Sequence, residues 1–159
     1  MNRFRTAGGL GALVLLVAAT AACTGGGGAT AAQDRTLKML AAEMKGGATV
    51  DAEPFPGGTY TLGYQIQPPN ADKRWEASAY VWLPSQLVVN QGDRVTLEIF
   101  GVNGKEHASK IEGYGVDFVV KRGQMAKVNF TADKPGTFKI LCATHANSMT
   151  GELVVLPRT

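Results

Sequence analysis

A chain of 159 residues, 45% of them hydrophobic, holds one domain and a targeting segment. Its 20 glycines and 7 prolines suit a loop-rich, core-forming β protein. The formal charge of +3 falls to 14 basic against 13 acidic side chains once Arg3 and Arg5 are set aside as part of a removable leader. Nucleic-acid binding, which needs a clustered basic face, is not indicated.

The N-terminus reads as an export signal. Met1 to Arg5 is a positive stretch, and Leu10 to Ala22 is an apolar run ending in small residues. That run is short of the roughly 20 residues a membrane-spanning helix needs. Thr20-Ala21-Ala22-Cys23 resembles a bacterial lipobox, with Thr20 in place of the usual Leu. The resemblance implies a signal peptide over 1–22, lipid on Cys23 and an exported protein held at the outer face of a bacterial cell membrane or in the periplasm. Ordinary cleavage leaving a free Cys23 is the alternative. Gly25 to Gly28 then begins a flexible tether. A disulfide between Cys23 and Cys142 would join that tether to a core strand, so the two cysteines are read as having separate tasks.

Leu37, Leu40, Ala41 and Met44 fall at i, i+3, i+4 and i+7, which predicts a short helix within 33–44, ended by Gly46-Gly47. It is assigned to the tether, 23–52, with the main domain over 53–159. Met39 and Met44 are five residues apart and do not form a second metal site.

From there the pattern is β. A peripheral strand is expected over Thr59 to Ile66, and a strong one over Arg74 to Leu83, interrupted by Pro84. Leu87 to Val89 precedes the turn Gln91-Gly92-Asp93, and Arg94 to Val102 alternates, with Val95, Leu97 and Ile99 on one face. Five further strands are expected over His107 to Glu112, Val116 to Lys121, Gln124 to Thr131, Thr137 to Cys142 and Gly151 to Leu156. Turns about every 8–12 residues predict an all-β, two-sheet Greek-key sandwich.

The chemistry gathers in the last loop. Both histidines of the chain, one of its two cysteines and a methionine make one soft nitrogen–sulfur donor set: His107, Cys142, His145 and Met149. Such donors suit copper cycling between Cu(I) and Cu(II). Phe138, Ile140 and Cys142 share one strand face, and the loop after Cys142 returns His145 and Met149 toward the sulfur. If Ile111 points inward, so do Ser109 and His107, while Glu106, Lys110 and Glu112 point out.

These residues, with the Gln91-Gly92-Asp93 turn and the run Thr131 to Phe138, resemble the cupredoxins, the type 1 blue copper proteins, over about Trp75 to Leu156. The details are similar to the branch containing the soluble domain of cytochrome oxidase subunit II, nitrous oxide reductase and nitrosocyanin. The resemblance implies one type 1 copper ion held by His107, Cys142 and His145, with Met149 as a weak axial ligand. It implies an electron carrier rather than an enzyme, passing single electrons between cytochrome- or oxidase-type redox partners. Glu106 competes for a ligand position, since nitrosocyanin uses a glutamate there, but alignment on Ile111 to Val116 places His107. The dinuclear centre of the oxidases needs a cysteine four residues before Cys142, and that residue is Phe138. Copper handling, or a red-copper site binding a small ligand, are the other functions this donor set allows. Ala108 and Ala143 depart from the family's more usual Asn and Ser or Thr.

Overall fold

The computed structural model describes residues 31–57 and 63–158. They form ten strands: β1 (Asp34–Thr49), β2 (Gln65–Gln67), β3 (Arg74–Leu83), β4 (Gln86–Asn90), β5 (Arg94–Gly101), β6 (Glu106–Ile111), β7 (Val116–Lys121), β8 (Met125–Thr131), β9 (Gly136–Cys142) and β10 (Thr150–Leu156). One sheet has the order β2-β3-β1-β5-β8 and the other β4-β10-β9-β6-β7. This is the expected two-sheet sandwich, all β among the described residues. The signal, Cys23, the glycine tether and residues 59–62 of the expected 59–66 strand lie outside the described residues; within 63–66 only Gln65 and Ile66 are strand, in β2 at the sheet edge.

Alternation builds the core between the sheets. Val95, Leu97 and Ile99 on β5 face Ile111 on β6, Ile140 on β9, and Leu153 and Val155 on β10, with Met39 and Trp82 from β1 and β3. Each large side chain so enclosed contributes roughly 1.5–3 kcal/mol.

The expected helix over 33–44 is instead part of the long strand β1, and 34–49 belongs to the sandwich rather than to a tether. Its first half pairs in parallel with β5, Asp34 opposite Arg94, and its second half runs antiparallel to β3, Leu40 opposite Leu83. The inward residues are Leu37, Met39 and Ala41, a period of two. Leu40 and Met44 are exposed on the other face. Leu40 there lies in line with Leu83, Phe100 and Met125, all exposed, across four neighbouring strands. These outward apolar side chains produced a helical spacing that the backbone does not follow. Gly46 and Gly47 continue the strand opposite Ala77 and Glu76.

Asp93 closes the end of the sandwich where β1 starts. Its buried carboxylate accepts from the Gln33 amide at 3.0 Å and Arg158 Nη2 at 2.6 Å through Oδ1, and from the Asn90 amide at 3.0 Å and Arg35 Nε at 3.2 Å through Oδ2. Burial pushes its pKa up. The Gln33 and Asn90 amides and the charges of Arg158 and Arg35 outweigh this and hold it below the ordinary 3.8. One side chain thus ties the start of β1 to the turn before β5 and to the C-terminal segment.

Candidate metal centre

The site forms at the end of the sandwich where β9 stops. Ser109 on β6 pairs with Cys142 on β9, and the ladder is continued by the Ala143 amide donating to the Ala108 carbonyl at 2.8 Å. His107 is two residues from Ser109, so alternation puts it on the same inward face, as expected. His107 and Cys142 are fully buried. His107 Nδ1 lies 3.8 Å from Cys142 Sγ.

The chain then turns. The amides of Ser148 and Met149 donate to the His145 carbonyl at 3.1 and 2.8 Å, and the Cys142 amide donates to the Met149 carbonyl at 3.2 Å. Thr150 Oγ1 donates to the Ala146 carbonyl at 3.0 Å. This compact loop brings His145 Nδ1 to 3.7 Å from Sγ. Met149 is enclosed at its base with no exposure. Glu106 points out into solvent on β6. Phe138 is half-buried and packs edge-on against Tyr114.

The His107, Cys142 and His145 donor atoms all lie within 4.8 Å of one another. Bonds of about 2.0 Å to imidazole nitrogen and 2.3 Å to thiolate sulfur, arranged trigonally, separate nitrogen from sulfur by about 3.7 Å. Both nitrogen–sulfur distances match. Two imidazoles and a thiolate are the donors copper prefers in both oxidation states, so the residues present fit a copper ion.

Partners that the sequence does not single out hold these side chains in place. His107 Nε2 lies 2.9 Å from the Asn103 carbonyl. A carbonyl only accepts, so Nε2 carries the proton and Nδ1 turns its lone pair toward the cluster. Gly104 follows at φ +79°, and a Cβ there would stand 2.8 Å from His107 Nε2 and 3.0 Å from Tyr80 Cε1. Tyr80 stacks on His145, with centroids 4.1 Å apart and planes at 22°. Trp82, fully buried, lies 6.4 Å from the His107 ring. The attachment of Asn103, Gly104 and the β3 aromatics to the imidazoles depends on which sheets meet, and no local pattern carries it.

The electrostatics are those of a ligand cluster. Burial raises the Cys142 thiol, but a hydrogen bond from His107 in its doubly protonated form, and those from the backbone amides of His145 and Thr144, bring it below its ordinary value. The bond to Cys142 raises His107 against the opposing effect of burial. Burial, and then the charge of His107, lower His145, while Glu43 pulls it back up.

Residues 73–155, just over half of the chain, match the family described as Cupredoxin-like domain. No curated protein matches the chain. Among solved structures it is similar to the copper nitrite reductase of Nitrosomonas europaea at 22% identity and TM-score 0.52, covering 78% of this chain and 42% of that one. It is also similar to the multicopper oxidase mgLAC at 16% and 0.53, covering 81% and 40%. A third likeness is to a multicopper oxidase from Pseudomonas thermotolerans at 15% and 0.54, covering 81% and 31%. The chain spans less than half the length of these three, and the likeness to them is one of fold. Family and donor cluster together point to copper-based electron transfer at a single copper ion. The chain belongs to the cupredoxin-like domain family.

Proposed function

We propose that the protein is a membrane-tethered carrier of single electrons between redox proteins, with His107, Cys142 and His145 as the strong copper ligands and Met149 as the weak axial one. The observation that carries this reading is the spacing of Cys142 Sγ to the two Nδ1 atoms, 3.8 and 3.7 Å, already set for trigonal bonds to one ion. When bound, copper supplies a one-electron Cu(I)/Cu(II) couple.

The chain's own part is to hold its donors still. Cys142 and His107 sit on hydrogen-bonded strands, so neither shifts without breaking a ladder. The loop carrying His145 is closed by hydrogen bonds, among them two to the His145 carbonyl. A frame of this stiffness suits electron transfer, because little rearrangement separates the two oxidation states. His145 is half-buried at the surface beside exposed Ala143, Ala146 and Asn147. That small, neutral surround favours a partner docked by fit rather than by strong opposite charge. The tether rests on the sequence around Cys23 and on Gly25 to Gly28.

Voltammetry of the copper-loaded protein tests the carrier. One reversible electron per chain, with no steady consumption of nitrite or dioxygen, is the expected result; sustained turnover of either would make the protein an enzyme. For the tether, Cys23→Ser should move the protein from the membrane to the soluble fraction, and an unchanged distribution would remove the lipid anchor.

A further inference from the structure

The sheet that carries no ligand reaches both imidazoles through one cross-strand pair. Glu43 on β1 stands opposite Tyr80 on β3. The alternation that buries Met39 and Ala41 on β1, and Trp82 on β3, turns this pair toward the site as well.

Glu43 holds Asn103 at two points. Its amide donates to Asn103 Oδ1 at 2.6 Å, and Asn103 Nδ2 donates to Glu43 Oε2 at 3.2 Å. Asn103, fixed in this way, presents its carbonyl to His107 Nε2 at 2.9 Å. The Glu43 side chain is only 13% exposed, with Lys45 Nζ 3.5 Å from the same carboxylate oxygen. A carboxylate so far withdrawn from water needs those partners, which makes the clip to Asn103 a specific one. Tyr80 serves the other imidazole. Its ring lies flat on His145 and has its centroid 5.3 Å from that of His107. His145 is borne by a loop, so strand geometry does not set its ring plane; a stacked aromatic does.

We propose that Glu43 and Tyr80 are positioning residues for the two imidazoles. Glu43, through Asn103, fixes the tautomer and orientation of His107, and Tyr80 fixes the ring plane of His145. The proposal deepens the copper reading and rests on it for its functional meaning. Partners of this kind that orient a metal-binding histidine typically change metal affinity about 10–100-fold when removed.

The test uses the full-length protein in two states. Nitrogen NMR of the metal-free form reads the His107 tautomer and the His145 environment, and competition with a copper chelator reads affinity. Asn103→Ala and Glu43→Ala should mix the two His107 tautomers and weaken copper binding about 10–100-fold. Glu43→Gln, which keeps an acceptor for Asn103 Nδ2, should restore a single tautomer. Tyr80→Leu should shift the His145 signals, and Tyr80→Phe should return them toward the wild type. Asn129→Ala, which removes the Thr96 partner elsewhere in the same sheet, should do none of this. Folded Glu43→Ala and Tyr80→Leu proteins with wild-type histidine signals and wild-type copper affinity would overturn the proposal and leave the pair as sheet packing. A wild-type chain that takes up no copper would remove the copper reading, while the metal-free spectra would still decide whether the pair positions the rings.

Discussion

Cys142 stands directly opposite Ser109 across the β6–β9 ladder, and this register brings the donor atoms together. Because side chains alternate, the strand that presents Ser109 to Cys142 also presents His107, whose Nδ1 then lies 3.8 Å from the sulfur. A slip of one residue in β6 would turn His107 to the outer face. The site is therefore as well defined as the sheet.

The loop over 102–105 presses against the far side of His107. Gly104→Ala places a Cβ within 3.0 Å of both His107 and Tyr80 at φ +79°. A strained backbone position of this kind costs about 1–3 kcal/mol. We expect a urea midpoint lowered accordingly and weaker copper uptake. A variant as stable as the wild type would mean that the loop yields without cost.

Gly63 does a comparable job on the loop that carries the other imidazole. A Cβ there would meet Ser148 N at 2.6 Å and Ser148 Cβ at 2.7 Å, so the backbone just before β2 rests directly on the loop that carries His145. Gly63→Ala should lift the two apart, at about 1–2 kcal/mol of stability given its φ of +87°. In NMR spectra the disturbance should centre on His145 and leave His107 unmoved. Equal shifts at both rings would indicate that the whole end of the sandwich has loosened instead.

How far the sequence revealed this arrangement differs residue by residue. Strand alternation was enough to turn His107 inward and Glu106 outward, and the turn signals bounded β3 to β10 to within a residue or two. The β1 strand was not legible, because Leu40 and Met44 sit on the outer face among Leu83, Phe100 and Met125 and mimic helical spacing. Asn103, Tyr80 and Glu43 were not legible for a different reason. Tyr80 and Glu43 reach the imidazoles from distant parts of the chain, and Asn103, only four residues before His107, is held by its clip to Glu43; such meetings are set by the packing of two sheets.

The buried carboxylate of Asp93 sets an acid limit. Its pKa is lowered in the folded protein, so the unfolded chain binds the proton more readily and stability falls as pH drops. The loss should begin near the ordinary 3.8 and continue down to the folded value. Asp93→Asn should destabilise the protein at neutral pH by about 3 kcal/mol, since the negative charge that Arg35 and Arg158 share is removed. It should also flatten that acid limb, which urea midpoints measured down the pH scale will show. A variant with the parent's acid slope would shift the responsibility to another carboxylate.

Met149 is enclosed, so its replacement by Leu, similar in volume, should cost less than about 1.5 kcal/mol. Removing an axial thioether from a copper site alters its spectrum and potential. The expected Met149→Leu protein is folded, binds copper and has both shifted. A folded variant with the parent's spectrum and potential would show that Met149 merely fills space.

Copper is expected to bond to Cys142 beside His107 and His145. The most direct test is the visible and electron paramagnetic resonance spectrum of the Cu(II)-loaded protein, recorded with its Cys142→Ser variant. An intense thiolate-to-copper band in the visible with narrow copper hyperfine splitting, both lost in the variant, is the predicted result. A weak band with wide splitting, unchanged by Cys142→Ser, would place copper elsewhere and contradict the account.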